Sequence, residues 1–214
     1  MDILITGVNG FIGLNLSQHL AARGHRVYGT ARRIEVNSIA GVIQFYDLKV
    51  GAPAKVEAFY GRNLIIHLIH DFTPGGGEDL VKWYQEIERT ANSTSARQIY
   101  ISSYSARSDA ISEYGRTKYQ IEQYFIRQGH SIVRPGLVIG DGGIFRNIYR
   151  VLQKFPVIPV PGPAYGEVPF ISIGMLCKCL CNIAEYSEQQ EYNLFAEEFI
   201  TLPIMLKICS DVGC

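Results

Sequence analysis

A glycine-rich turn close to the first residue restricts the folds open to this chain. The segment TGVNGFIG carries Gly7, Gly10 and Gly13 between an apolar run at residues 2–6 and a helical pattern at residues 12–23. At a strand-to-helix turn, such glycines permit a tight turn, close approach of a pyrophosphate and close packing of helix on strand. The N-terminus of the helix also favours an anion. The spacing predicts a dinucleotide site; the alternative is three turn glycines without a ligand.

Short apolar segments alternate with helical patterns over the first 140 residues. Strands are predicted at residues 26–30, 42–46, 64–68, 98–102 and 131–138, and helices at residues 80–90 and 113–128. This alternation is typical of βαβ units around a parallel sheet. We therefore expect an α/β fold with a Rossmann-like, doubly wound parallel sheet.

The pattern is less regular after residue 140. It predicts helices at residues 144–154, 175–184 and 202–212, short strands at 170–173 and 192–195, and a proline-rich irregular segment at 155–169. We expect residues 1–140 to form the dinucleotide-binding domain and residues 168–195 to return to it. Residues 141–167 and 196–214 are then expected to form a small, shortened C-terminal substrate lobe.

Charge and hydropathy exclude several classes of protein. The 214 residues include twenty basic and twenty acidic side chains, so the formal net charge is zero. A neutral chain lacks the positive field that nonspecific nucleic-acid binding and polybasic membrane attachment require. No apolar run is long enough to cross a bilayer, and no targeting segment is visible. We expect a cytoplasmic protein with neither nucleic acid nor membrane as a partner.

The cysteines lie close together near the C-terminus, at Cys177, Cys179, Cys181, Cys209 and Cys214. On a helix, the first and third of these share a face and the second does not. Zinc sites usually space such pairs as CxxC and add a histidine pair, which is missing here. We expect these side chains to pack as small apolar groups, and we expect no metal site.

The residues after the second and third strands bear on the choice of cofactor. Arg32 and Arg33 stand where NAD sites usually carry an acid that binds the ribose 2′-hydroxyl. An arginine suits the 2′-phosphate of NADP, so we predict NADP as the preferred cofactor and NAD as the alternative. The alternative is that both arginines are solvated surface residues that bind no cofactor. Asp47 and Leu48 lie where an adenine edge is expected, although Asp47 also suits a loop cap.

A serine, a tyrosine and a lysine form a candidate catalytic set. Tyr114 and Lys118 make a YxxxK pair on the predicted helix at residues 113–128, and Ser103 follows the predicted fifth strand. The spacing places the tyrosine and lysine on one helix face. An ammonium group there lowers the pKa of a phenol from about 10, which predicts Tyr114 as an acid and base. Ser103 is expected to hydrogen-bond the reacting oxygen.

Taken in order, these motifs resemble the extended short-chain dehydrogenase/reductase family, which includes the NAD-dependent sugar-nucleotide epimerases and dehydratases. The resemblance rests on TGVNGFIG, Asp47-Leu48, IIHL, ISS, YGRTK and VRPGLVIG, and covers roughly residues 1–185. It implies Ser103, Tyr114 and Lys118 as catalytic residues, and dimerisation through two helices per subunit, one carrying Tyr114. It also implies cofactor contacts at Gly7, Gly10, Phe11, Ile12, Gly13, Asp47, Leu48, Leu68, Pro135, Gly136 and Val138.

The chain departs from the family pattern at several places. Tyr104 and Ser105 stand where the family's dehydratases carry an acidic pair, so we do not expect dehydratase chemistry. Ile69 and His70 replace small residues and are expected to crowd the cofactor site, with His70 interpreted as a polar loop residue. The segment between Ser103 and Tyr114 is short, and the C-terminal lobe is shorter than the family's.

The expected function is that of an NAD(P)-dependent epimerase or reductase of a nucleotide-linked sugar, with hydride transfer to or from the cofactor. Arg146 and Arg150 are candidate contacts for the substrate's diphosphate. The alternative is that they lie on a solvated helix face and bind no ligand. A catalytically silent NADP(H)-binding sensor or complex subunit is the alternative function, and the short C-terminal lobe motivates it.

Overall fold

The structure is a computed structural model that describes most of the chain. The described residues are 1–32, 39–53, 56–154, 166–186, 188, 190–198, 200–201 and 204. Some positions singled out from the sequence lie outside this set. They are Arg33, Cys209, Cys214, most of the predicted helix at residues 202–212 and most of the proline-rich segment.

A seven-stranded parallel sheet forms the centre of the described chain. The strands of the described residues, in chain order and including those outside this sheet, are β1 (Asp2–Thr6), β2 (Arg26–Ala31), β3 (Val42–Asp47), β4 (Leu64–His67), β5 (Arg97–Ile101), β6 (Ser131–Pro135), β7 (Leu137–Ile139), β8 (Glu167–Val168), β9 (Phe170–Ser172), β10 (Glu191–Leu194) and β11 (Ile200–Thr201). The order in the main sheet is β3-β2-β1-β4-β5-β6-β10, and neighbouring strands are parallel. The predicted doubly wound α/β fold is therefore confirmed. The strand order reverses direction between β1 and β4, where such sheets open a crevice.

Helices cover both faces of this sheet. They are α1 (Phe11–Ala22), α2 (Gly77–Asn92), α3 (Glu113–Arg127), α4 (Gly143–Lys154) and α5 (Ile173–Tyr186), with a 3₁₀ turn at Val56–Ala58. α1 packs beside α5 and α2 beside α3. Ile3 and Ile5 belong to the core cluster beneath α1 and α5, and Leu4 belongs to the cluster beneath α2 and α3. Successive strand residues point to opposite faces, and both faces are covered, so residues 3–5 of β1 are all apolar.

The predicted strand at residues 131–138 is interrupted. β6 ends at Pro135, and β7 leaves the main sheet to pair with β9 in a separate two-stranded sheet. A Cβ on Gly136 would lie 2.4 Å from the carbonyl oxygen of Pro169, so only glycine permits this crossing. Leu137 N then donates a hydrogen bond to the same oxygen, at 2.7 Å. The break is hidden in the sequence VRPGLVI because the residues on both sides of Gly136 belong to strands.

The cysteines of α5 lie where the helical spacing predicts. Cys177 and Cys181 are fully buried in the core, and Cys179 is half-buried. Burial raises the pKa of the Cys177 thiol to about 12. Among the described residues, no cluster of His, Cys, Asp and Glu side chains is arranged to hold a metal ion. The helices in the described part of the chain also include none long and apolar enough to cross a membrane.

Candidate active site

A cavity of about 980 Å³ lies at the carboxyl ends of the parallel strands, at the crevice where the strand order reverses. Its volume is in the range of ligand-binding clefts, on the order of 300–1,000 Å³. The structure brings the following sequence-predicted residues into its lining: Gly7, Gly10, Phe11, Ile12, Gly13, Arg32, Leu48, Leu68, Ser103, Tyr114, Lys118, Pro135, Gly136, Val138 and Arg146. The glycine turn and the Ser-Tyr-Lys set, which are about 90 residues or more apart in sequence, therefore share one cleft.

The glycine turn connects β1 to α1 and needs glycine at two positions. Gly7 has a φ of +70°, and a Cβ on Gly13 would lie 2.7 Å from both the Cα and the carbonyl oxygen of Val8. α1 begins after Gly10 with no side-chain cap and no acidic residue in its first turn. Its N–H groups at the cavity are therefore available to an anion, and the cradle fits a pyrophosphate.

The ends of β2 and β3 form the outer part of the cavity. Arg32 is exposed and lines the cavity, whereas Leu48 is buried beside it and donates from its N–H to the Ala31 carbonyl at 3.0 Å. Asp47 is exposed and is not among the lining residues. The structure thus brings Leu48 to the cavity and leaves Asp47 outside it.

Lys118 lies deep in the cavity wall and is only 4% exposed. Its Nζ donates a hydrogen bond to the carbonyl oxygen of Ile101 at 2.8 Å and lies 4.8 Å from the centre of the Tyr100 ring. Burial lowers the pKa of Lys118 to about 7, although the nearby Glu122 carboxylate acts in the opposite direction. The ammonium is thus held at the end of β5 by a backbone carbonyl.

Tyr114 begins the same helix face one turn earlier, and burial raises its pKa. A hydrogen bond with Ser103 acts in the opposite direction without reversing the shift. The expectation of a lowered pKa is therefore wrong in direction, because desolvation of the phenolate outweighs the favourable contacts. Ser105 was noted from the sequence only as the replacement of an acidic residue. Its hydroxyl oxygen lies 2.8 Å from that of Ser103, and it lines the same cavity.

The buried ammonium of Lys118 predicts a measurable pH effect on stability. Between pH 7 and 10 the unfolded chain binds a proton at this lysine that the folded chain has lost, so folding gains stability as the pH rises. The free energy of unfolding of the unaltered protein is expected to rise relative to that of Lys118→Met by up to about 1.4 kcal/mol per pH unit. Urea unfolding at pH 7, 8 and 9 measures this difference.

A matched control is Lys178→Met, which alters an exposed lysine of α5. The difference between this variant and the unaltered protein should stay constant over the same pH range. A constant difference for Lys118→Met as well would contradict the lowered pKa.

The loop after β4 supplies Ile69 and His70 to the cavity lining, near the cofactor site that the sequence analysis expected them to crowd. Ile69 packs against the glycine turn, since its Cγ1 would lie 2.9 Å from a Cβ on Gly7. Tyr84 holds this loop by donating a hydrogen bond from its hydroxyl to the Ile69 carbonyl. His70 and Phe72 line the cavity beside Tyr114. The signal for this loop was the replacement of small residues in the motif by Ile69 and His70, whereas Phe72 was not singled out from the sequence.

The two candidate arginines of α4 are placed differently. Arg146 lines the cavity, and its Nε lies 3.3 Å from Asp141 Oδ1 in an exposed ion pair. Arg150 is exposed and is not among the lining residues. The structure therefore brings Arg146 to the cavity and not Arg150.

Residues 3–94 match the sequence model of the NAD dependent epimerase/dehydratase family. None of the curated proteins matches the sequence.

Solved structures share the fold over nearly the whole chain. MoeE5 in complex with UDP-glucose and NAD aligns with a TM-score of 0.81 at 17% identity, over 99% of this chain and 82% of its own. The NDP-hexosamine 5,6-dehydratase TunA aligns at 0.79 and 20% identity, over 99% and 81%. UDP-glucose 4-epimerase from Thermotoga maritima aligns at 0.80 and 17% identity, over 99% and 82%. The resemblance to the extended short-chain dehydrogenase/reductase family is confirmed, and residues 3–94 carry the sequence pattern of its NAD dependent epimerase/dehydratase members.

Proposed function

We propose that the protein is an NAD(P)-dependent epimerase or reductase that acts on a nucleotide-linked sugar. The observation that carries this proposal is the shared cleft: an uncapped helix N-terminus with its glycine turn faces the same cavity as Ser103, Tyr114 and Lys118. A silent dinucleotide binder needs the first of these features but has no physical need for the second.

Each part of the cleft has a separate task in this proposal. The backbone of the glycine turn and the start of α1 would hold the pyrophosphate of the cofactor, whose nicotinamide would supply or accept the hydride when bound. Ser103 hydrogen-bonds the reacting oxygen of the sugar. Tyr114, whose raised pKa keeps its proton at neutral pH, donates that proton to a sugar carbonyl. In the opposite direction Tyr114 takes the proton back, and the ammonium of Lys118 favours the phenolate.

The charges around the cavity support a doubly anionic substrate. Among the described lining residues, Arg32 and Arg146 are cationic, Lys118 adds a positive charge when it is protonated, and Asp71 is the acidic one. An excess of positive charge in a cleft attracts diphosphates. The structural neighbours MoeE5 and the Thermotoga maritima epimerase were solved with UDP-glucose, which makes nucleotide sugars the first substrates to examine.

Incubation with each cofactor and a panel of nucleotide sugars, followed by measurement of the absorbance of the reduced cofactor and by proton NMR of the sugar, tests the proposal. Absence of both reduced cofactor and altered sugar would count against it.

Arg32 is proposed to favour NADP over NAD through the 2′-phosphate. It is exposed at the cavity edge, where a bidentate charge-assisted hydrogen bond is open to it. Arg32→Gln is expected to weaken NADPH binding about tenfold and to change NADH binding by less than about twofold. Calorimetric titration of the unaltered protein and the variant with both cofactors measures the preference.

Arg107→Gln serves as the control, since this exposed arginine pairs with Asp109 and is not among the cavity lining. It should leave both affinities unchanged. Tighter binding of NADH than NADPH by the unaltered protein would overturn the NADP assignment and leave the proposed reaction standing.

A further inference from the structure

The hydroxyl group of Ser103 has a close polar neighbour in Ser105. The two hydroxyl oxygens lie 2.8 Å apart, and the backbone N–H of Ser105 donates a second hydrogen bond to Ser103 Oγ at 3.2 Å. Both residues line the cavity, where Ser103 is half-buried and Ser105 is exposed. Ser105 therefore contacts Ser103 Oγ through two polar atoms, and the proposed reaction uses neither of them.

Ser103 is also the hydrogen-bond partner of Tyr114. The hydrogen bond between them favours the phenolate form of the tyrosine. The Nζ of Lys118, one turn further along the helix, instead donates its hydrogen bond to the carbonyl oxygen of Ile101. Ser103 thus lies between Ser105 and the group that acts as acid and base in the proposed reaction.

The hydrogen bonds that Ser103 can make are limited in number. A hydroxyl group has one proton and two lone pairs. The N–H of Ser105 takes one lone pair, so the other lone pair and the proton remain for the hydroxyl groups of Ser105 and Tyr114. If the Ser105 hydroxyl donates, it fills the second lone pair, and Ser103 directs its proton towards Tyr114 and the oxygen on which Tyr114 acts. If the Ser105 hydroxyl accepts, Ser103 directs its proton away from them.

The proposed reaction needs the arrangement in which Ser105 donates. A sugar carbonyl and a phenolate both offer lone pairs and no proton, so Ser103 binds either of them only as a donor. Ser105 is exposed, so water can fill the lone pairs of its hydroxyl while its proton is given to Ser103. Donation along a chain of hydroxyl groups also polarises the last O–H bond and strengthens its hydrogen bond.

We propose that Ser105 is a positioning residue, whose hydroxyl donates to Ser103 Oγ and so keeps the Ser103 proton directed at the reacting oxygen of the sugar. This inference rests on the proposed function. It also gives a physical consequence to the replacement of the acidic pair at residues 104 and 105. An ionised carboxylate at residue 105 would only accept and would draw the proton of Ser103 away from the sugar.

Three single variants separate the hydroxyl of Ser105 from the rest of its loop. Ser105→Ala removes the hydroxyl and keeps the backbone N–H that donates to Ser103. Ser105→Thr keeps both groups. Ser108→Ala is the matched control, because this serine lies in the same loop, is exposed and is not among the residues lining the cavity. Steady-state kinetics on the nucleotide sugar that the screen identifies, with the cofactor at saturation, measure kcat and KM for each protein.

Ser105→Ala is expected to lower kcat about fivefold and to change KM by less than about twofold, because it weakens one donor to the reacting oxygen and leaves the other substrate contacts in place. Ser105→Thr and Ser108→Ala should both stay within about twofold of the unaltered protein. Adding Ser105→Ala to Ser103→Ala should lower kcat no further, because Ser105 acts through Ser103.

A titration without substrate examines the same hydrogen bonds. In protein labelled with ¹³C at the tyrosine Cζ, the Tyr114 signal is identified by its absence from Tyr114→Phe. Ser105→Ala should raise the pKa of Tyr114, because a weaker donor stabilises the phenolate less, and Ser108→Ala should leave this pKa unchanged. The other titratable groups around this phenol are the same in all of these proteins: Lys118, Tyr100 and His70.

Four results would overturn the assignment. The first is an unchanged kcat for Ser105→Ala, and the second is an unchanged pKa of Tyr114 in that variant. The third is a loss of activity that Ser105→Thr does not restore, together with a lower melting temperature, which would make Ser105 structural. The fourth is an undiminished effect of Ser105→Ala when residue 103 is already alanine, which would make Ser105 a direct substrate contact. If the unaltered protein turns over no nucleotide sugar, the proposed function fails, and the titration of Tyr114 alone decides whether Ser105 acts on Ser103.

Discussion

Replacing Tyr114 with phenylalanine is expected to lower kcat by about three orders of magnitude, within the range that general acid–base catalysis contributes. The variant removes only the hydroxyl and leaves the ring contacts with His70 and Phe72 in place. Cofactor affinity should therefore stay within about twofold, because the glycine turn that holds the pyrophosphate is untouched. Steady-state kinetics on the nucleotide sugar that the screen identifies, together with calorimetry on the cofactor, measure the two quantities separately.

Tyr119→Phe is the matched control, because Tyr119 lies on the same helix and is not among the residues lining the cavity. This variant should keep its activity. Full activity of Tyr114→Phe would show that another group moves the proton. Normal cofactor binding by an unaltered protein that turns over no nucleotide sugar would favour the alternative of a silent binder.

Replacing Arg134 with methionine is expected to lower the free energy of unfolding by about 3–5 kcal/mol, which is the usual result of removing one partner of a buried ion pair. Arg134 lies on β6 and donates two hydrogen bonds to the carboxylate of Glu122 on α3, at 2.9 and 2.6 Å. Glu122 is 2% exposed, so the variant leaves its charge in the protein interior without this partner. Urea unfolding at pH 7 measures the loss.

Two controls identify the cause of this loss. Adding Glu122→Met to Arg134→Met should recover at least half of the stability, because a buried apolar pair replaces an unpaired charge. Arg107→Met breaks an exposed pair with Asp109 and should change the free energy of unfolding by less than about 1 kcal/mol. If Arg134→Met and Arg107→Met lowered the free energy of unfolding equally, burial of the ion pair would not be the cause of the loss.

The succession of strands and helices along the chain could be predicted because it depends on local patterns. β1 is bounded by the same residues in the prediction and in the structure. α1 differs from its prediction by one residue at each end, and β2 by one residue at its C-terminal end. The interruption at Gly136 could not be predicted in this way. It depends on Pro169, more than thirty residues further along the chain, whose carbonyl occupies the space that a side chain would need.

In the candidate site, too, local spacing could be predicted from the sequence, whereas burial could not. The i, i+4 spacing on α3 alone places Tyr114 and Lys118 on one face, and the pocket contains both. Their pKa values follow from burial, which depends on the packing of α3 against β5 and the loop after β4. The lowered pKa expected for Tyr114 therefore has the wrong sign, since spacing carries no information about desolvation.

The amino-acid sequence by itself determined those features that a few neighbouring residues specify. These are the glycine turn after β1, the alternation of strands and helices, and the helical spacing of Tyr114 and Lys118. What only the tertiary structure decided is which distant residues meet: His70 with Tyr114, and Arg134 with Glu122. The physical reason is range, because backbone propensities act over one or two turns, whereas burial and unpaired polar atoms arise only when separate segments pack together.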